Sequence, residues 1–472
     1  MLMQKIIVRA SIVLTILFTV SCATYYQKRI EFQKSFSAGD LEGAKAFLDK
    51  NKKAAEKKDR LLYFMDKGVV EHMLGNYAES NEAFEQAYMF MEDYRKIFGS
   101  DALALITNPM TKPYTGEDFE VVLIHYYKAL NFIMMGDLKT ALVEVKRINI
   151  KLNQLNDLYE DKKNRYSQDA FAQLLTGIIY EANNDYNNAF ISYRNSYNTY
   201  KSVYEPEFNI GPPEQLKLDL MRSAYLTGFR QELAFYEKEF GQKYVPKEEE
   251  AKAPQLVFFW LNGLGPVKSE NSINFSLIKG QGGVVNFQSD EYGLNIPVFL
   301  PPSSSSSDGA SFGDLKFVRM ALPKYLERAP IIQQAELKAN GVSKSFEKTE
   351  DLNKIAFSVL QDRMLRELGN SLLRLATKQA AEIAVRQQNQ DLGAVMSLAN
   401  AISEKADTRN WQTLPYSISY SRMPLEVGEN EVKFVYRAGK QADTVSYHIE
   451  AGKGETVFKT YHTMDSEPPK TF

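Results

Sequence analysis

Little in this chain has the spacing that catalysis or metal binding requires. The four histidines, His72, His125, His448 and His462, are scattered, and no two have the helical spacing of a metal pair. No G-x-S-x-G elbow and no Walker loop occurs. Gly280-Gln281-Gly282-Gly283 is glycine-rich but lacks the Lys-Ser/Thr of a phosphate loop, so it reads as a turn. Acidic residues are plentiful, yet no carboxylate pair is set apart by its spacing. The reactive side chain that stands out is the single cysteine, Cys22. It follows a basic start, Lys5 and Arg9, and an apolar run from Ala10 to Val20, which is the layout of a secretory signal. That run is short for a membrane-spanning helix, which needs about 20 apolar residues. A free thiol in an exported protein is open to oxidation, whereas a thioether to lipid uses it up. The inventory favours recognition over catalysis, and neither a cofactor nor a metal is expected.

Val20-Ser21-Cys22 resembles the bacterial lipobox, departing from it at Thr19, where an aliphatic residue is usual. The resemblance implies cleavage before Cys22 and its lipidation, with residues 1–21 as the signal peptide. Several acyl chains on one residue hold a membrane far more firmly than one chain does. The following residues, Ala23-Thr24, lack an aspartate at the second position. By resemblance to lipoprotein sorting signals, this implies the periplasmic face of the outer membrane.

Composition is that of a globular chain: 44% apolar and 25% charged residues in a length of 472, enough for two or three domains. With 57 basic against 59 acidic residues there is no bias toward nucleic acid, and none is expected as a partner. Beyond the first two dozen residues no run of 18 apolar residues appears.

The positioning elements divide near Pro246–Pro254, where the charged stretch Lys247 to Lys252 reads as a linker. Before it, over 22–245, four short turns recur: Gly39-Asp40-Leu41, Gly75-Asn76-Tyr77, Gly136-Asp137-Leu138 and Asn184-Asp185-Tyr186. Each is followed by a buried-type small residue, Ala44, Ser80, Ala141 or Ala189, and Gly68 and Gly177 precede two of them. Small residues let paired helices approach, and the large ones beside them, Phe84 and Tyr193, fill the groove. This pattern resembles the tetratricopeptide repeat, as an irregular array with a fifth pair around Gly228-Phe229. The resemblance implies a helical solenoid whose groove binds partners.

After the linker, over 255–472, the pattern becomes mixed. Gln255 to Leu261 is a continuous apolar run and reads as a buried strand. Further strands are expected at Val284–Phe287, Ile296–Leu300, Leu315–Leu322, Ala335–Ala339, Tyr416–Met423, Glu431–Arg437, Thr444–Ile449 and Thr456–Tyr461. Ser303 to Ser307 reads as a loop, and 349–407 as a helical hairpin capped by Thr349-Glu350-Asp351. Lys378, Glu382 and Arg386 argue against that hairpin entering a membrane. The expected class is therefore an α+β multidomain protein: an α-helical tetratricopeptide-like solenoid followed by a mixed α+β domain.

Two segments carry a further likeness. Leu261 to Glu270, with Gly263, Gly265, Pro266 and Lys268, and Ala406 to Pro415, with Asp407, Arg409 and Trp411, resemble signature segments of a family of bacterial envelope lipoproteins. That family joins tetratricopeptide-like helices to such a C-terminal domain, and it brings no assigned activity. Each segment has two readings: a turn or junction within the fold, or a surface for a partner. Together the features imply a lipid-anchored periplasmic scaffold that binds another envelope protein through the helical groove. The alternative is a cell-wall enzyme, or an activator of peptidoglycan synthesis, acting through 255–472.

Overall fold

The computed structural model describes residues 25–98, 110, 112–157, 165–246, 253–279, 284–290, 294–299, 317–364, 368, 406–439 and 441–470. The leader with Cys22, the stretch Lys247 to Lys252, the Gly280–Gly283 and Ser303–Ser307 turns and both arms of the expected hairpin after residue 368 lie outside these residues.

The four recurrent turns make the helical half. Gly39, Gly75 and Gly136 have φ between +76° and +81°, and Asn184 has +60°. In each case the next residue's N–H returns to a carbonyl five residues back, as Asp40 does to Ser35 at 2.9 Å and Asp185 to Tyr180 at 2.9 Å. This left-handed stop needs Gly or Asn. The aspartate that follows then opens the next helix: Asp40, Asp137 and Asp185 accept from the N–H three residues on, at 2.9, 3.0 and 3.1 Å. Such a cap contributes about 1 kcal/mol. One dipeptide thus ends one helix and starts its antiparallel partner.

The helices so defined are α1 (Tyr25–Lys28), α2 (Ile30–Ser37), α3 (Leu41–Lys50), α4 (Arg60–Met73), α5 (Tyr77–Phe98), α6 (Asp118–Met134), α7 (Leu138–Asn156), α8 (Ala170–Ala182), α9 (Tyr186–Thr199), α10 (Glu205–Phe208), α11 (Glu214–Thr227) and α12 (Arg230–Phe240). The expected fifth pair is α11 and α12, with Gly228 at φ +76° between them. Within pairs, Ser80 donates to the Gly68 carbonyl at 2.7 Å and Ser196 to the Ala170 carbonyl at 2.7 Å. A Cβ on Gly68 would lie 2.5 Å from the Phe84 ring, and one on Gly177 would lie 2.4 Å from Tyr193.

The strands are β1 (Gln255–Asn262), β2 (Val267–Lys279), β3 (Val284–Ser289), β4 (Leu294–Phe299), β5 (Phe317–Leu326), β6 (Gln334–Ala339), β7 (Val342–Ser345), β8 (Glu347–Asp351), β9 (Ser417–Pro424), β10 (Gly428–Ala438), β11 (Gln441–Ala451) and β12 (Thr456–Thr463). Among the described residues they form three four-stranded sheets, ordered β12-β1-β9-β8, β11-β10-β6-β7 and β4-β3-β2-β5. β1 pairs parallel to β12 and antiparallel to β9. β2 is an addition to the expected strands: its run of Lys268, Ser269, Glu270, Asn271 and Ser272 hides it from a hydrophobic pattern. Thr349-Glu350-Asp351, expected as a cap alone, closes β8. Asp351 still caps a helix over 352–364, α13, accepting from Lys354 N–H at 3.0 Å.

One buried cluster is shared between the helices and the first sheet. Val257, Phe259 and Leu261 on one face of β1, with Ile418 and Tyr420 on β9, belong to the same buried cluster as the helices. The other face of β1, Leu256, Phe258 and Trp260, packs with Leu337, Val432 and Phe434 of the second sheet. β1 is continuous in apolar residues because both its faces are covered.

Candidate functional site

The first helices α4, α6, α8 and α11 turn toward the first sheet. α6 shows this most strongly, being buried at nearly every position. A helix apolar around its whole circumference is one enclosed on all sides. Phe171 of α8 meets Phe259 of β1 at a ring separation of 6.1 Å, and Phe84 and Tyr127 meet Trp411 at 5.9 and 5.7 Å. Arg422 of β9 reaches Glu181 of α8 at 3.1 Å and Asp219 of α11 at 3.3 Å. Burial alone would raise Glu181, but Arg222 and Arg422 hold it down to about 2. The groove expected from the repeat likeness is therefore occupied: along this face the solenoid binds its own chain. Repeat geometry alone cannot reveal that, because the covering strands lie far away in sequence.

The two signature segments cross each other at one end of this face. Gly263 has φ +67°, and a Cβ there would approach Pro330 to 2.8 Å, so the turn out of β1 requires glycine. Gly265 N–H donates to the Leu414 carbonyl at 2.7 Å. Asn410 ties the segments twice, donating to the Pro266 carbonyl at 2.8 Å and accepting from Lys268 N–H at 3.1 Å. Arg328 binds the pair from β5's side, donating to the carbonyls of Gly265 and Gln412, both at 2.6 Å.

The crossing is then locked to the helices. The Lys268 ammonium pairs with Glu117, which also accepts from Arg363 at 2.6 Å. Arg409 pairs with Asp407 at 2.7 Å and Asp59 at 3.1 Å, donates to the Lys112 carbonyl and lies over the Tyr114 ring. Burial works against the Arg409 charge, and Asp407 and Asp59 more than offset it. Trp411 N–H donates to Glu120 at 2.6 Å and its indole N–H to Thr413 at 2.8 Å. Thr413 in turn donates to Asp66 at 2.9 Å, and Asp66 pairs with Arg29, which lies between α1 and α2. Lys268, Arg409 and Trp411 are each at most 2% exposed.

The acidic residues here were missed in sequence. Glu117 and Glu120 form a capping box at the start of α6, a signal legible as Glu-x-x-Glu before an apolar run. Burial would raise both. Arg363 and Lys268 hold Glu117 below the ordinary range, while Glu120, buried beside that charge, is pushed up to about 7. A second buried acidic pair joins α8 to β8. The Tyr204 hydroxyl, presented by a π-helical turn over Tyr200–Tyr204, donates to Glu350 at 3.0 Å and faces Asp169 at 3.4 Å. Burial first, then Asp169, drives Glu350 well above its usual value. All these groups are spent on internal partners. What the arrangement does is weld the strands of the α+β half to the helices. Among the described residues no group of three or more His, Cys, Asp or Glu side chains could hold a metal ion. Among them, no helix is long and apolar enough to cross a membrane.

No family model matches the chain, and no curated protein matches it. Solved structures of helical repeat proteins match the N-terminal half. A crystal structure of MamA protein is 14% identical, spanning 46% of this chain and 96% of its own, at a TM-score of 0.28. The apo form of RapI is 11% identical over 46% of this chain and 68% of its own, at 0.33. A kinesin light chain with TPR-like repeats from Podosopora anserina is 15% identical over 44% and 88%, at 0.29.

Proposed function

We propose that this chain is a lipid-anchored protein of the bacterial envelope that acts by binding another envelope protein, held through Cys22 to the periplasmic face of the outer membrane. The lipobox-like Val20-Ser21-Cys22 supports the anchor. The observation that carries the binding role is a set of large apolar side chains left in solvent along the second helices of four of the pairs. The first helices α4, α6 and α8 are enclosed, though Ile30 on α2 and Tyr225 on α11 stay exposed, while the second helices α5, α7, α9 and α12 keep large apolar side chains in solvent. These are Met89 on α5, Val143 and Ile150 on α7, Ile191 on α9 and Phe235 on α12, all between 36% and 60% exposed. Single exposed apolar residues are ordinary, but their recurrence on successive second helices suits a partner lying across them. The binding surface is thus the outer side of the array, in place of the expected groove. Lys268, Asp407 and Arg409, among the residues singled out in 255–472, are committed to partners within the fold.

The test places a photo-crosslinking residue at Val143 or Ile150 of the full-length protein in cells, with Lys433 on the second sheet as the control position. One envelope protein should crosslink from the α7 positions, and Ile150→Glu should abolish that product when the crosslinker is at Val143. Equal products from Lys433, or none from α7, would refute the surface. Labelling with a fatty-acid analogue reads the anchor separately, and label retained in Cys22→Ala would refute it.

A further inference from the structure

β9 has two unlike faces. Ile418 and Tyr420 enter the core shared with the helices, whereas Ser417, Ser419 and Ser421 face the second sheet. In register these three serines sit beside Asn262, Trp260 and Phe258 of β1. A strand enclosed between two layers ordinarily carries large apolar side chains on both faces, as β1 does. At the Met423 end the space between the sheets is filled by Leu256, Phe258, Met423 and Phe434. At the Ser417 end it is left open as a cleft of about 420 Å³. That volume falls within the range of small-molecule sites, roughly 300–1,000 Å³.

The lining defines the ligand. Ser417 and Ser419 are 3% and 5% exposed. Their hydroxyls, and the amides of Gln333 and Gln334 across the cleft, make no hydrogen bond among the described residues. Each of these groups can both donate and accept, which matches the hydroxyls of a sugar. Phe346 supplies an apolar wall, fixed at one side by edge contacts with Phe258 and Trp260 at 5.5 and 5.7 Å. The charges at the rim are answered already: Arg437 reaches Glu336 at 3.3 Å and Lys348 reaches Asp351 at 2.9 Å. An anion would find no unmatched cation there. A purely apolar ligand would leave the buried serine hydroxyls without partners.

We propose that the cleft between the first and second sheets binds a neutral saccharide, hydrogen-bonded by Ser417, Ser419, Gln333 and Gln334 and seated against Phe346. This site is on the far side of the first sheet from the helices, so it is independent of the partner surface on α7.

The experiment titrates the full-length protein with maltotetraose, cellotetraose and chitotetraose, by calorimetry and by chemical shifts. At least one should bind, with a Kd on the order of 0.1–1 mM. Ser419→Leu fills the cleft with the side chain an ordinary sandwich would carry. It should keep or raise Tm while weakening that saccharide at least tenfold. Gln334→Ala, on an exposed strand position, should weaken it severalfold with Tm unchanged, and it reads the site even where Ser419→Leu folds poorly. Failure of all three saccharides to bind at 10 mM overturns the proposal, as does wild-type affinity in both variants. Binding of citrate in place of the saccharides would overturn it too, since the cleft would then be an anion site.

Discussion

Gly177 is the position where one methyl group should do the most damage. Its Cβ would lie 2.4, 2.5 and 3.0 Å from Cδ1, Cε1 and Cγ of Tyr193, so the ring must retreat by about 1 Å. Tyr193 has no free space to retreat into, being fully buried. Its hydroxyl donates to Glu181 at 2.6 Å and accepts from Arg422 at 3.2 Å. Displacing it therefore strains the helix pair and also the contact between α8 and β9. Overpacking costs about 1–3 kcal/mol, and weakening a buried hydrogen bond to a charged group costs about 1.5–3. Alanine is the better helix former by about 1 kcal/mol, which offsets part of this. Gly177→Ala should thus lose about 2–4 kcal/mol in urea unfolding. The same change made in Tyr193→Ala should instead gain about 1 kcal/mol, since only the helix propensity remains. Equal effects in the two backgrounds would refute the proposed contact, and with it the register of this repeat.

Three other outcomes follow from the same structure. His72 is buried with its Nδ1–H donating to Asn131 at 2.6 Å, and burial lowers its pKa from 6.5 to about 4. The unfolded chain then binds a proton below pH 6.5 that the native state refuses, so His72→Gln should remove about 3 kcal/mol of stability loss between pH 6.5 and 4, seen as a flatter urea midpoint against pH. Lys268→Met leaves Glu117 buried with Arg363 as its remaining charged partner, and should cost about 3–5 kcal/mol with loss of Tm. Residues 25–245 expressed alone would expose Phe84, Tyr127 and Phe171, and should bind a hydrophobic dye and associate in sedimentation, where the full chain stays monodisperse.

What could be read in the sequence is what is encoded locally. The Gly-Asp and Asn-Asp turns are legible because one residue must accept a positive φ and the next must cap a helix. Gly68 and Gly177 were legible because close helix packing demands small residues at fixed offsets. The run Gln255–Leu261 announced a strand covered on both faces, though not what covers it. β2 was hidden because its first half, Lys268 to Ser272, is polar, although Ile273, Phe275 and Leu277 further on enter a core with Phe287 and Met320. The site residues were singled out as two segments, yet their meeting depends on Asn410, Arg328 and Glu117, each far from its partner in sequence.

That pattern of dependence explains why the groove expectation failed. A repeat array is read by its own period, and the period says only that one face is concave and unfilled by neighbouring repeats. In this chain that face carries Asp66, Glu120, Glu181 and Asp219, buried acidic groups that no solvated groove would keep at such low exposure. Each is answered from elsewhere: Asp66 by Arg29 and Thr413, Glu120 by the Trp411 N–H, and Glu181 and Asp219 by Arg422. Charged residues on the first helices of a repeat therefore need not mark a ligand site. Where basic or amide-rich segments follow in the same chain, as Arg409 to Gln412 and Arg422 do, the acidic face has a partner close at hand. Apolar side chains remain uncovered on α5, α7, α9 and α12, as at Ile30 of α2 and Tyr225 of α11, and the partner surface proposed above is the part of them that lies on the second helices.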